Sequence, residues 1–255
     1  MESVLQIFFV LLLIIIIILL VFKPKREEAF SWPLNYQELL ADYVRFYVDL
    51  NEDGKKIFEE KFQKFMTAVK ITGAGAEVED LDRVLIGAAA VIPVYFIPDW
   101  EYVNLREVLV YPGNFNMDFD QHGNDRMISG MVGTGSMENV MILSKWELRQ
   151  GFINSASHHN TAIHEFVHLI DKMDGTLDGV PELLLERKYV AEWQQQLQLT
   201  MEKIRNGESK INPYGATSPV ECFAVVAEVF FEQPEMLRET NAALYQMLRK
   251  IFVKK

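Results

Sequence analysis

The stretch TAIHEFVHLI, Thr161 to Ile170, sets two histidines four residues apart in an otherwise apolar run, with Glu165 beside the first. Apolar residues at this spacing predict a buried helix, and residues four apart project from one side of it. His164 and His168 therefore reach toward one point from successive turns. Glu165 sits about 100° round the helix, close enough to touch a water held at that point. The competing reading is a core helix whose two imidazoles are satisfied by structural hydrogen bonds. The rest of the chain has to decide between them.

His164-Glu165-Phe166-Val167-His168 has the form H-E-x-x-H, in which the histidines hold a metal and the glutamate is general base toward its water. Zinc is the cofactor this predicts, because it accepts imidazole and brings a bound water near a neutral pKa. Asp171, three residues past His168, is read as a carboxylate orienting a liganding imidazole. Catalytic zinc takes three protein ligands. Residues 169–175, LIDKMDG, lack the continuation that supplies a third histidine. His158 and His159 are read as lying at the helix start rather than as ligands. A carboxylate on a second helix remains, and NPYGATSPVECFAVVAEVFFEQP (212–234) provides two. Glu221 and Glu228 are seven apart on one face of an apolar helix, where a carboxylate needs a partner. Ser218-Pro219-Val220-Glu221 also has the S-x-x-E form of a capping box, which would occupy Glu221 locally. Spacing leaves both glutamates open as third ligand. Cys222 points off their face and reads as a small core residue.

HEFVHLIDKMDG (164–175), DGVP (178–181) and YGATSPVECFAVVAEVFF (214–231) resemble the Mlc titration factor A family of zinc peptidases. The paired motifs H-E-F-x-H and Y-G-x-T-x-x-x-E-x-F-A are also similar to the catalytic domain of anthrax lethal factor. The resemblance implies Glu221 as third zinc ligand, Tyr214 as hydrogen-bond donor to a developing oxyanion, and Glu228 as a partner of a liganding histidine. It further implies a helix-rich α+β fold, a zincin-like (gluzincin) metallopeptidase domain with a small sheet. The activity expected is peptide-bond hydrolysis with one zinc ion per chain, aminopeptidase action included. The partners expected are a peptide or protein substrate and a transcriptional regulator.

The N-terminus departs from that family. VLQIFFVLLLIIIIILLVF, Val4 to Phe22, is 19 residues interrupted only by Gln6. A helix of this length just spans the ~30 Å hydrocarbon layer. No basic residue precedes it and no small-residue cleavage site follows, which favours one uncleaved transmembrane helix over a signal peptide. Lys23, Lys25 and Arg26 flank its far end, so the positive-inside rule places the catalytic domain on the cytoplasmic side of the inner membrane. The organisation expected is an anchor over 1–22, a juxtamembrane linker over 23–34 and a peptidase domain over 35–255.

Across the 255 residues, 49% hydrophobic and 24% charged describe a chain able to bury a core. The net charge of −11 excludes a nucleic-acid partner, which requires a basic face. The single cysteine excludes an internal disulfide and a Cys-rich zinc site. Apolar stripes predict helices over 36–50, over 58–69 up to the GAGA near 73–76, and over 83–96 as far as Pro93. Further helices are predicted over 158–175, 181–205, 218–232 and 234–252. Strands are predicted over 105–112 and from 139, the latter passing into a helix by 148, with the Gly-rich 123–135 as loop. Val140–Leu143 is read as an edge strand on which an extended peptide could lie.

Overall fold

Short aliphatic runs between the helices assemble into one mixed sheet. Its strands are β1 (Lys70–Gly73), β2 (Glu107–Tyr111), β3 (Gly130–Val132) and β4 (Val140–Ser144), in the order β1-β2-β4-β3. β1, β2 and β4 are parallel, and β3 runs antiparallel to β4. The structure is a computed structural model that describes residues 33–123, 125–154 and 159–254. Pro33–Lys255 forms one compact unit. The expected anchor, and the linker up to residue 32, lie outside the described residues. Among the described residues no helix is long and apolar enough to cross a membrane.

Val140–Leu143 is not an edge strand. β4 is hydrogen-bonded on both sides, and Met141, Ile142 and Leu143 are all buried. An apolar run with no polar alternation is what a strand covered on both faces requires. On that side of the sheet the edge is β3, drawn from the stretch read as loop. Gly133 donates its N–H to Val140 O (2.8 Å), and Ser144 donates to Ser129 O (2.8 Å). In an antiparallel pair these bonds fall on alternate residues. Residues 129, 131 and 133 therefore turn their backbone toward β4, while Gly130 and Val132 turn theirs to the free edge.

The helices are α1 (Tyr36–Tyr43), α2 (Arg45–Val48), α3 (Glu52–Ala68), α4 (Asp80–Val91), α5 (Lys145–Ile153), α6 (Thr161–Asp171), α7 (Val190–Arg205), α8 (Pro219–Glu232), α9 (Pro234–Thr240) and α10 (Ala242–Phe252). Two predicted helices are broken in two, at Val44, where the backbone is extended, and at Asn241, where it leaves the helical region. Asn241 then caps α10 by accepting from Leu244 N. Helix α3 stops at Ala68 because Val69 is extended, and the chain enters β1 where helix was expected. Residues 181–186 lie outside α7, which starts after a 3-10 turn.

α6 carries the motif and is buried on all 11 of its residues. It lies against α4, α5 and α8 and beneath β3 and β4. Asn160 caps it, its Oδ1 accepting from Ile163 N (3.1 Å). Helix α4, which backs it, is tied to α5 by Asp82, which takes Arg149 Nε at 2.7 Å and Lys145 Nζ at 3.2 Å. Gly87 brings α3 and α4 close, since a Cβ there would lie 2.4 Å from the Phe62 ring. Phe166 seals the back of the motif helix, its ring 5.5 Å from Phe65 and 5.2 Å from Tyr102 between centroids. Phe166→Ala is expected to lower the unfolding free energy by about 3–5 kcal/mol in denaturant titration.

Candidate metal centre

Two buried helices build the centre. On α6, His164 and His168 stand one turn apart and meet edge to face, with ring centroids 4.6 Å from each other. On α8, Ser218 caps the first turn by accepting from Glu221 N (3.2 Å), and Glu221 faces α6. One carboxylate oxygen, Glu221 Oε2, lies 2.9 Å from His164 Nε2 and 3.3 Å from His168 Nε2. The capping role of Ser218 and the outward reach of Glu221 thus coexist. One donor atom from each of the three residues falls within 4.8 Å of the others. Two imidazole nitrogens and a carboxylate oxygen, partly open on one side, form a donor set that fits a catalytic metal with one free position.

The second nitrogen of His164 is equally constrained. Its Nδ1 meets Glu228 Oε1 at 2.5 Å. Glu228 also takes His159 Nδ1 (2.7 Å) and the backbone N–H of Asn160 (2.9 Å) on its other oxygen. Burial works against a charged Glu228, but His164 and His159 outweigh it and hold its pKa below the usual carboxylate range. A carboxylate on Nδ1 fixes the tautomer that leaves Nε2 free to bind a cation. His159, read from sequence as a helix-start residue, thus belongs to the centre as a partner of Glu228. Asn160 joins it through three elements at once, with its side chain also donating to Glu232 Oε1 (3.2 Å). The sequence signal for Asn160 was available: an asparagine before an apolar periodic run is a helix cap. His158 lies outside the described residues.

Asp171 does not hydrogen-bond His168. Its Oδ2 accepts from Gly179 N (2.8 Å), bracing the turn after α6, while Oδ1 and His168 Nδ1 are buried without hydrogen-bond partners. The i+3 spacing shares a face with His168 but does not fix which way a short side chain turns. Desolvation pushes the Asp171 pKa up to about 7. Cys222 is a core residue, its Sγ 3.8 Å from Leu197 O.

Glu165 is buried, and desolvation raises its pKa against the pull of His168 and His164. The backbone of β3 crosses directly over it. A Cβ on Gly130 would lie 2.7 Å from Glu165 Cγ and 2.8 Å from Oε1, so only glycine fits. Sequence reading missed Gly130, whose role depends on a strand three residues long. Tyr214 stands in a 3-10 turn, Pro213–Ala216, fixed by Asn212 Oδ1, which accepts from Tyr214 N (2.9 Å). Its ring lies 6.1 Å from that of His164, and it is half exposed. Desolvation, with Glu221 and Glu165 nearby, pushes its pKa up to about 12, so the phenol keeps its proton.

Residues 22–253 match the glucose-regulated metallo-peptidase M90 family. The chain belongs to this family. The match begins at Phe22, the last residue of the N-terminal apolar run. A protein of Synechocystis sp. described as uncharacterized is 30% identical over 245 residues, covering 89% of this chain and 87% of its own. Mlc titration factor A of Escherichia fergusonii is 32% identical over 236 residues, covering 87% and 84%. The protein of that name from Klebsiella pneumoniae is 31% identical over 235 residues, covering 86% of each chain. The M90 assignment agrees with the resemblance read from the two motif helices, and with a helix-rich α+β fold holding a small mixed sheet.

In this M90 member, Glu228→Gln keeps the shape of the side chain but weakens its hold on the imidazole N–H groups. Competition with a chromogenic chelator should show metal affinity reduced about 10–100-fold, with the unfolding transition retained.

Proposed function

We propose that the chain is a zinc-dependent peptidase whose metal is held by His164, His168 and Glu221. The observation that carries this reading is the meeting of Glu221 with both imidazoles at 2.9 and 3.3 Å, with Glu165 beside them under the strand edge. When bound, the ion supplies Lewis acidity toward a water and toward the scissile carbonyl. The protein's own groups do the rest. The outward backbone of Gly130 and Val132 hydrogen-bonds an extended peptide as an added strand, which sets its carbonyl above α6. Glu165 takes a proton from the attacking water as the C–O bond forms. Tyr214 donates its O–H to the oxygen that gains charge. Glu165 then delivers the proton to the amide nitrogen as the C–N bond breaks, so one water is consumed and two termini are released.

A second reading is binding. The relatives' name, Mlc titration factor A, speaks of titration rather than hydrolysis. A chain that sequesters a transcriptional regulator would use the zinc only structurally. Against that, a structural site fills its coordination and needs no carboxylate poised at an open side. The apolar run Val4–Phe22, with Lys23, Lys25 and Arg26 behind it, supports a membrane-anchored form whose catalytic unit faces the cytoplasm.

Glu165→Gln separates the two readings. It should keep zinc while losing about 10²–10⁴-fold in turnover of quenched fluorescent peptides. Cleavage at the wild-type rate would remove the catalytic reading.

A further inference from the structure

The cleft over the centre has a volume of about 450 Å³, and its walls are unlike each other. Around the metal donors it is polar. Toward its mouth it is lined by Met117, Met127 and Leu177, together with Met131 and Val220. Met117 is 73% exposed, Met127 84% and Leu177 42%. Single exposed apolar residues need no explanation, but three converging on one concavity mark a surface made to be covered.

These side chains sit on anchored supports. Met117 and Met127 ride on the two arms of a loop closed at its base by Phe115 and Ile128. The backbones of those two residues exchange both hydrogen bonds, at 3.0 and 2.9 Å. Phe115 is fully buried against Tyr111 and Ile142, with Ile128 packed on the same cluster, so the loop's foot is part of the core. Leu177 follows the turn at Gly175, where Asp174 Oδ1 accepts from Thr176 N (3.0 Å). Among the described residues, no lysine or arginine lines this cleft. The charged side chains lining it are the carboxylates of Glu165 and Glu221, besides the histidines. An incoming acidic side chain would meet no lysine or arginine there, only further carboxylates beside the metal donors, whereas an aliphatic side chain would find thioethers, which adapt to varied shapes.

We infer that this cleft selects peptide segments carrying a bulky aliphatic or thioether side chain beside the scissile bond, and rejects acidic ones, with Met117, Met127 and Leu177 as the specificity-determining residues. The inference rests on the cleft being the place where a peptide is bound. An apolar pocket discriminates among side chains by roughly 10–200-fold, which sets the size of the effect.

The test uses matched quenched fluorescent peptides in which each position flanking the cleavage point is Leu, Met, Ala or Glu in turn. kcat/KM is measured on the full chain. Affinity for the same peptides is measured by fluorescence anisotropy on Glu165→Gln, which reports selection without hydrolysis. The expected result is Leu and Met preferred over Glu by about tenfold or more in both assays. A Met117→Lys/Met127→Lys double variant should lower that ratio by about tenfold, chiefly through KM, with an unchanged circular dichroism spectrum. Absence of cleavage with preserved selective binding would sink the peptidase reading and leave this inference standing. Equal affinity for Leu and Glu peptides, no peptide binding at all, or a folded double variant with an unaltered ratio would overturn it.

Discussion

The imidazole of His164 is gripped at both ends by carboxylates from one neighbouring helix. Glu228 holds Nδ1 at 2.5 Å and Glu221 meets Nε2 at 2.9 Å, and both glutamates stand on α8. Seven residues of helix rise about 10 Å, enough for two successive faces of one ring to be served from a single rod. Burial would lower the pKa of this imidazole, but Glu228 and Glu221 outweigh burial and push it to about 10. The carboxylates of Glu221 and Glu228 therefore call for positive charge where the Nε2 atoms and Glu221 meet, which a proton on His164 or a bound cation supplies. A divalent cation answers that demand with the donor types present.

The surrounding fold keeps this charge arrangement in register. α6 is buried all round, so it cannot slide or rotate without exposing Phe166 or Ile163. Asn160 ties its start to α5 through Gly151 O and to α8 through Glu232 and Glu228. The sheet contributes from above, with Gly130 laying bare backbone against Glu165. The histidines, the facing carboxylates and the free strand edge thus come from three elements that share one core, which is the condition for a preorganised site.

Much of this was legible in the chain. The motif helix, the buried helix that stops just short of Pro93 and the second carboxylate helix follow from apolar spacing, because long periodic segments over-determine a helix. The choice between Glu221 and Glu228 did not follow, and could not, since residues two turns apart share a face and only the distance to the facing helix separates them. Asp171 failed for a related reason: a face was predictable, a rotamer was not. β1 and β3 escape prediction because strands of four and three residues leave too little pattern, and the uniform apolarity of Val140–Leu143 marks a central strand rather than the edge that its length alone suggests. The breaks at Val44 and Asn241 interrupt apolar stripes that periodicity alone would carry through.

X-ray absorption at the zinc K-edge of the purified, zinc-loaded chain reads the ligands of the metal without intermediaries. The expected spectrum shows one zinc environment with two imidazoles and one carboxylate in its shell, disrupted by Glu221→Gln and left intact by Glu165→Gln. A chain that binds no zinc, or a shell indifferent to Glu221→Gln, would contradict it.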